Sequence, residues 1–83
     1  MMIGEELQKL LNKTYEPSTL IEMPFKQYDL AFKTDEMGRP ILLFMGKKNE
    51  NGNIKGERFA RRLKTGPNGE VIKDHWENKG PAT

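Results

Sequence analysis

The chain has 83 residues, with 14 lysine and arginine residues against 12 aspartate and glutamate residues and a formal net charge of +2. It contains no cysteine, which excludes disulfides, thiolate zinc sites and thiol nucleophiles, and we expect no metal and no cofactor. The composition, 35% hydrophobic and 31% charged with both signs present, predicts one small folded domain over residues 1–83.

The N-terminal residues 1–13 predict the one helix of the chain. Their apolar residues recur at the helical period and form a single stripe: Ile3, Leu7, Leu10 and Leu11. A helix of two to three turns is marginal in water on its own. We therefore expect the stripe to pack on the rest of the chain.

From residue 18 the pattern changes to short β-like runs separated by turn residues. We predict strands over residues 19–22, 28–34, 41–46, 54–65 and 71–76. The short connections favour antiparallel neighbours, because parallel strands need long crossovers. The expected fold class is α+β, with the N-terminal helix packed on a bent antiparallel β-meander of four or five strands over residues 18–76. An SH3-like or an OB-like open barrel is compatible with it, and residues 77–83 are expected to form a flexible tail.

Turn residues mark the connections between the later strands. Asp35 followed by Gly38 predicts a type I turn with a G1 bulge, and Pro67 followed by Gly69 predicts a turn of the same kind. The connection over residues 47–53 is longer and polar, and it is expected to form a mobile hairpin tip.

Alternation along the strands predicts which side chains face the core. Four apolar residues of the last two strands are expected to point inward: Phe59, Leu63, Ile72 and Trp76. The cations then collect on the opposite face: Lys33, Arg58, Arg62, Lys64 and Lys73. Arg61 falls on the inward side, which requires either a bulge in the strand or a buried stem with its charged head at the edge.

Phe44 belongs to a run, residues 41–45, that is apolar on both faces. If Leu42 and Phe44 share the face of the cations, Phe44 becomes an aromatic platform among arginines, as in sheets that bind single-stranded nucleic acid. The predicted nucleic-acid-binding residues are Lys33, Phe44, Arg58, Arg62, Lys64 and Lys73. In the alternative, Leu42 and Phe44 are core residues or a homodimer seam, and the cations only keep an exposed sheet from pairing with other chains.

Catalytic motifs are missing, so we expect a binding module and not an enzyme. Ser18 is the one serine and lacks the nucleophile-elbow pattern, and neither glycine-rich phosphate loop is present. The expected partner is nucleic acid. The alternative is a protein–protein interaction or homodimerising module with no nucleic-acid role. No membrane partner is expected, and the lack of a signal-peptide pattern together with the lack of cysteine favours a cytoplasmic location.

Overall fold

The computed structural model describes residues 4–81 and contains one short helix followed by five strands. These elements are α1 (Glu5–Leu11), β1 (Leu20–Phe25), β2 (Tyr28–Thr34), β3 (Pro40–Lys48), β4 (Ile54–Thr65) and β5 (Val71–Pro81). Each strand pairs antiparallel with the next one, which gives the sheet order β1-β2-β3-β4-β5. The predicted α+β class and the antiparallel meander are confirmed.

One buried apolar cluster contains residues of the helix and of three strands: Leu7, Leu11, Leu30, Phe32, Leu43, Met45 and Phe59. The register explains why the strand residues meet, since Phe32 pairs with Leu43 and Leu43 pairs with Phe59 across neighbouring strands. We call this side of the sheet the core face and the opposite side the outer face. Burying one such side chain contributes about 1.5–3 kcal/mol, so this single cluster holds most of the apolar stabilisation.

The last three connections adopt the same turn, over residues 35–39, 49–53 and 66–70. In each, the first residue donates its N–H to the fifth carbonyl, and the fourth residue donates its N–H to the first carbonyl. The fourth residue is a glycine with φ near +80° each time: Gly38, Gly52 and Gly69. The two predicted turns are confirmed. The connection expected as a long tip over residues 47–53 is shorter, because β3 continues to Lys48.

The C-terminal strand extends further than the sequence indicates. β5 continues to Pro81, which pairs with Glu57, so the flexible tail expected over residues 77–83 is wrong for residues 77–81. At the other end, Ile3 of the predicted helical stripe lies outside the described residues. Gly80, at φ +92°, lies where the β4–β5 register shifts and lets the strand pass this irregularity.

The inward set is confirmed for Phe59, which is buried, and for Trp76, which packs against the core cluster. Leu63 is half-buried, on the same side as Phe59. The prediction for Ile72 is wrong, since its side chain is 56% exposed. The β4–β5 register shifts between Lys64 and Thr65, and this irregularity takes Ile72 out of the alternation.

Within residues 4–81, no helix combines the length and the apolar character needed to cross a membrane.

Candidate nucleic-acid interface

The register places all six predicted binding residues on the outer face. Phe44 lies between Ala31 of β2 and Arg58 of β4, and Lys33 lies beside Leu42. Further along β4, two cross-strand pairs continue the same face: Arg62 with His75, and Lys64 with Lys73. Paired residues in neighbouring strands point to one side of the sheet, so β4 carries a row of cations from Arg58 to Lys64.

The cations of the outer face differ in their ion pairing. Four of the five predicted cations are exposed and have no ion-pair partner within residues 4–81: Lys33, Arg58, Lys64 and Lys73. The fifth, Arg62, holds a carboxylate, with its Nε 3.0 Å from Glu77 Oε1. The free cations therefore lie on both sides of a partly neutralised centre.

Glu77 is one of the acids that the sequence analysis did not place on this face. It pairs with Ala60 in the register, and its Oε2 accepts a hydrogen bond of 2.9 Å from Lys79 Nζ. The hydrogen bond from Lys79 lowers the pKa of Glu77; partial desolvation opposes this, and the bond from Arg62 adds to the lowering. A ligand phosphate would compete with Glu77 for Arg62, so Arg62 is the weakest of the predicted contacts.

Phe44 is half-buried, and its side chain lines a cavity of about 220 Å³ on the outer face. We call it the outer-face cavity, and its lining residues are Leu20, Glu22, Ala31, Lys33, Phe44, Gly52, Asn53 and Ile54. Ala31 and Ile54 are each 8% exposed, although both lie on the side away from the core cluster. The outer face is therefore concave at this point, with an apolar floor and a polar rim.

A pair of glycines accounts for the concave shape. Gly46 of β3 and Gly56 of β4 are cross-strand neighbours on the outer face. A Cβ on Gly56 would overlap the Met45 carbonyl oxygen, and one on Gly46 would overlap the Lys55 carbonyl oxygen. Only glycine permits this close approach, and it lets the end of the β3–β4 hairpin curl over the outer face.

Polar contacts hold the curled hairpin against the first two strands. Lys48 Nζ lies 2.6 Å from Glu22 Oε2, and the backbone N–H of Lys48 donates to Asp29 Oδ2 at 3.0 Å. The hydrogen bond to Glu22 is the main cause that raises the pKa of Lys48. Residues 52–54 thus lie above Phe44 as one wall of the outer-face cavity.

Arg61 is separated from these cations because it points to the core face. Its side chain is 6% exposed, and its Nε and Nη2 bond the two carboxylate oxygens of Asp74 at 2.7 and 2.6 Å. Its Nη1 donates to the carbonyl oxygens of Leu11 and Pro40, and its guanidinium lies 5.6 Å from the Trp76 ring centre. Arg61 therefore has the buried stem that the sequence analysis allowed, but its charged head is enclosed by Asp74 and two backbone carbonyls and does not extend to the edge as expected.

A second cavity, of about 390 Å³, lies beside the start of α1 and is a poor site for an anion. Its lining includes Glu5 and Glu6, and the one lysine there, Lys26, is already paired with Glu6 at 3.2 Å. The single histidine, His75, lies exposed beside Arg62 and lines neither cavity. Within residues 4–81, no three acidic or histidine side chains lie close enough together to hold a metal ion.

No family model, no curated protein and no solved structure matches this chain. The functional proposal therefore depends on the geometry of the outer face alone.

The sequence analysis did not predict the outer-face cavity. Gly46 and Gly56 each interrupt a strand-like run, and a glycine inside a strand is a signal for close backbone approach. That signal does not show that the two glycines face each other. Asn53 and Ile54 consequently gave no indication that they would meet Leu20, which is more than thirty residues away in the chain.

Proposed function

We propose that this protein is a non-enzymatic module that binds nucleic acid through its outer face. The observation that supports this most directly is the set of four exposed cations that have no carboxylate partner among residues 4–81, on the same face as the half-buried ring of Phe44. Lysine and arginine contacts to phosphates supply most of the affinity in such complexes, and aromatic rings add stacking with bases. Such a module would act in the cytoplasm, a location that the lack of cysteine favours.

The salt dependence of binding tests this proposal. A fluorescently labelled single strand of 12 nucleotides and a duplex of the same length are titrated with the protein, starting at low salt, and binding is followed by anisotropy. Each phosphate contact should contribute about 0.7 to the slope of log affinity against log salt for the single strand. Absence of affinity for both oligonucleotides at low salt would contradict the proposal.

Two cross-strand lysine pairs provide a matched comparison. Lys64 and Lys73 pair on the outer face, and Lys47 and Lys55 pair with their side chains on the opposite side. The double change Lys64→Glu/Lys73→Glu should reduce affinity at least tenfold and lower the salt slope by about 1.4, the loss of two contacts. The double change Lys47→Glu/Lys55→Glu alters the net charge equally and should have a much smaller effect. Equal losses would indicate a response to net charge and not a binding face.

A second candidate function is a protein–protein or homodimerising module that uses the free edge of β5. This strand is the last in the sheet and pairs only with β4 among the described strands. Two of its apolar residues are exposed: Val71, with 47% of its surface accessible to solvent, and Ile72, with 56%. An exposed edge with apolar residues can add a strand from another chain. If sedimentation at high protein concentration finds only monomer, the homodimer version of this candidate function is wrong. Charge reversal at Arg58 and Arg62 should leave such an interaction intact.

We also propose that the bent meander is an open barrel of the SH3-like or OB-like kind, with α1 packed on its core face. Leu7 and Leu11 share the buried cluster with Phe32, and Arg61 donates to the Leu11 carbonyl oxygen at 3.2 Å. The change Leu11→Asp should therefore unfold the sheet as well as the helix. If circular dichroism of this variant shows an unchanged strand signal, the sheet folds without a packed α1, and this part of the proposal is wrong.

A further inference from the structure

We infer that the outer-face cavity takes one unpaired nucleobase, stacked on the ring of Phe44, while Lys33 and Arg58 contact the neighbouring phosphates. This inference rests on the proposed function and narrows it, since it identifies the ligand as a single strand and not a duplex. It assigns a base site to a cavity that the sequence did not predict.

The size of the cavity fits a single flat group. Its volume of about 220 Å³ is below the roughly 300–1,000 Å³ of pockets that enclose drug-sized ligands. Its floor and walls are largely apolar, from Leu20, Ala31, Phe44 and Ile54. A nucleobase has two apolar faces and a polar edge, which matches an apolar slot with a polar rim.

The surroundings of Phe44 are those of a stacking site. Its neighbour on β2 is Ala31, which adds only a methyl group, and its neighbour on β4 is the exposed Arg58. Directly opposed residues have Cβ atoms about 4.5–5.5 Å apart, so the Arg58 guanidinium can reach a phosphate attached to a base on Phe44. Lys33 lines the same cavity and has no ion-pair partner within residues 4–81.

The rim of the cavity offers groups that can meet the polar edge of a base. The side-chain amide of Asn53 makes no hydrogen bond within the described part of the chain, and an amide both donates and accepts. The backbone of Gly52 lies beside it in the same wall. The Gly52 N–H already closes the turn by donating to the Asn49 carbonyl oxygen at 3.1 Å, so the Asn53 amide is the rim group that is left to meet the edge of a base.

The curled hairpin makes the site selective for unpaired bases. Residues 52–54 form one wall, so a base reaches Phe44 only if it leaves its stack and its pairing partner. Unstacking and unpairing cost a few kcal/mol in a duplex and much less in a single strand. From Arg58 the row of outer-face cations continues along β4 for six residues, about 20 Å, which gives the strand a basic path away from the cavity.

The decisive experiment compares four labelled 12-nucleotide probes with the unaltered protein. The probes are oligothymidylate, oligodeoxyadenylate, an abasic deoxyribose-phosphate strand and a duplex, all at one low salt concentration and followed by anisotropy. The two base-containing single strands should bind about tenfold more tightly than the abasic strand and the duplex, since stacking adds to the shared phosphate contacts. Equal affinity for the abasic strand, or tighter binding of the duplex, would overturn the base site while leaving the proposed function in place. No binding of any probe would overturn both.

Two phenylalanine variants connect this preference to the cavity. The change Phe44→Leu keeps an apolar side chain but removes the ring, and it should lower the affinity for oligothymidylate to that for the abasic strand. The control Phe25→Leu makes the same chemical change on the core face, where Phe25 is half-buried against the core cluster, and should keep the preference. If Phe44→Leu does not fold, the probe comparison on the unaltered protein still decides the question.

Photocrosslinking locates the base directly. A single strand that carries 5-iododeoxyuridine is irradiated with the unaltered protein, and the linked peptide is identified by mass spectrometry. A link to Phe44 or to residues 52–54 supports the site. A link confined to α1 or to the core face would overturn it.

Discussion

Arg61 and Arg62 are consecutive residues of β4, yet they belong to regions with opposite physical roles. The Arg61 side chain is 6% exposed and bonds a carboxylate, two backbone carbonyls and the Asn12 side chain. The Arg62 side chain is 62% exposed and holds a single carboxylate. The core face uses its arginine to join the helix end to the sheet, whereas the outer face leaves most of its cations available to a ligand. The alternation of one strand thus separates the arginine that is bonded into the fold from the cations that we propose bind nucleic acid.

Among changes to charged residues, the largest expected effect comes from removing the arginine of the core face. Arg61→Met leaves Asp74 and the Leu11 and Pro40 carbonyls without their donor, and it should lower the free energy of unfolding by about 3 kcal/mol. Arg62→Met, the matched change on the outer face, should cost less than about 0.5 kcal/mol, because exposed ion pairs contribute little. Urea denaturation followed by circular dichroism measures both. Similar losses in the two variants would contradict the division of roles between the two faces.

A smaller loss of stability is expected where the backbone shapes the outer face. Gly56→Ala places a methyl group against the Met45 carbonyl oxygen and should lower the free energy of unfolding by about 2 kcal/mol. It should also open the outer-face cavity, because the hairpin can no longer curl. Gly4→Ala, where an added Cβ meets nothing within 4 Å, is the control; because glycine is preferred to alanine at the N-cap of α1, it should lower stability by about 0.5 kcal/mol. A Gly56→Ala protein of unaltered stability would show that the close approach is not required.

Asp74 on the core face should contribute more to the acid sensitivity of the protein than Glu77 on the outer face. The hydrogen bond from Arg61 lowers the pKa of Asp74, with desolvation opposing it. A carboxylate with a lowered folded-state pKa adds stability above its unfolded pKa, about 3.9 for aspartate, and this stability is lost as the pH falls through the folded value. Urea unfolding at pH 7 and pH 2 should therefore show a smaller pH-dependent loss for Asp74→Asn than for the unaltered protein. The outer-face change Glu77→Gln should also reduce the loss, but by less, because the ion pairs that lower the pKa of Glu77 are exposed to solvent. A larger reduction for Glu77→Gln than for Asp74→Asn would contradict this assignment.

The smallest effect is expected at Ile72, the apolar residue that the β4–β5 irregularity exposes. Ile72→Ala should change the free energy of unfolding by about 0.5 kcal/mol or less, since more than half of the side chain is already in water. Phe59→Ala, on the same hairpin but buried, should cost about 3–5 kcal/mol and serves as the reference. A cost at Ile72 comparable to a buried aliphatic residue would indicate that a second chain covers it.

The sequence predicts the parts of this fold that depend on local chemistry. Alternation correctly assigns Phe59 and Trp76 to the core face and Arg58, Arg62 and Lys64 to the outer face, because side-chain direction in a regular strand repeats every two residues. Gly38 and Gly69 mark turns because few other residues adopt a positive φ. The third turn, at Gly52, carries the same signal, with Asn49 in the place of Asp35.

The parts that the sequence did not predict depend on breaks in regularity or on contacts between distant residues. Ile72 was assigned to the core because an irregular register cannot be located from alternation alone. The outer-face cavity requires Leu20 of β1 to meet Ile54 of β4, and that meeting depends on how far the Gly46–Gly56 pair bends the sheet. The six predicted binding residues could therefore be assigned to one face from the sequence. The outer-face cavity, which gives Phe44 its proposed role, could not be predicted in the same way.

The repeated turn also has a kinetic consequence. Every pairing in the described sheet joins strands that are adjacent in the chain, and three of the four connections close with the same five-residue hydrogen-bonded loop. Short loops lose little entropy on closure, and proteins with mostly local contacts fold faster than sheets that pair distant segments. We expect the hairpins to form early, and the sheet to become stable only when Leu7 and Leu11 pack on its core face.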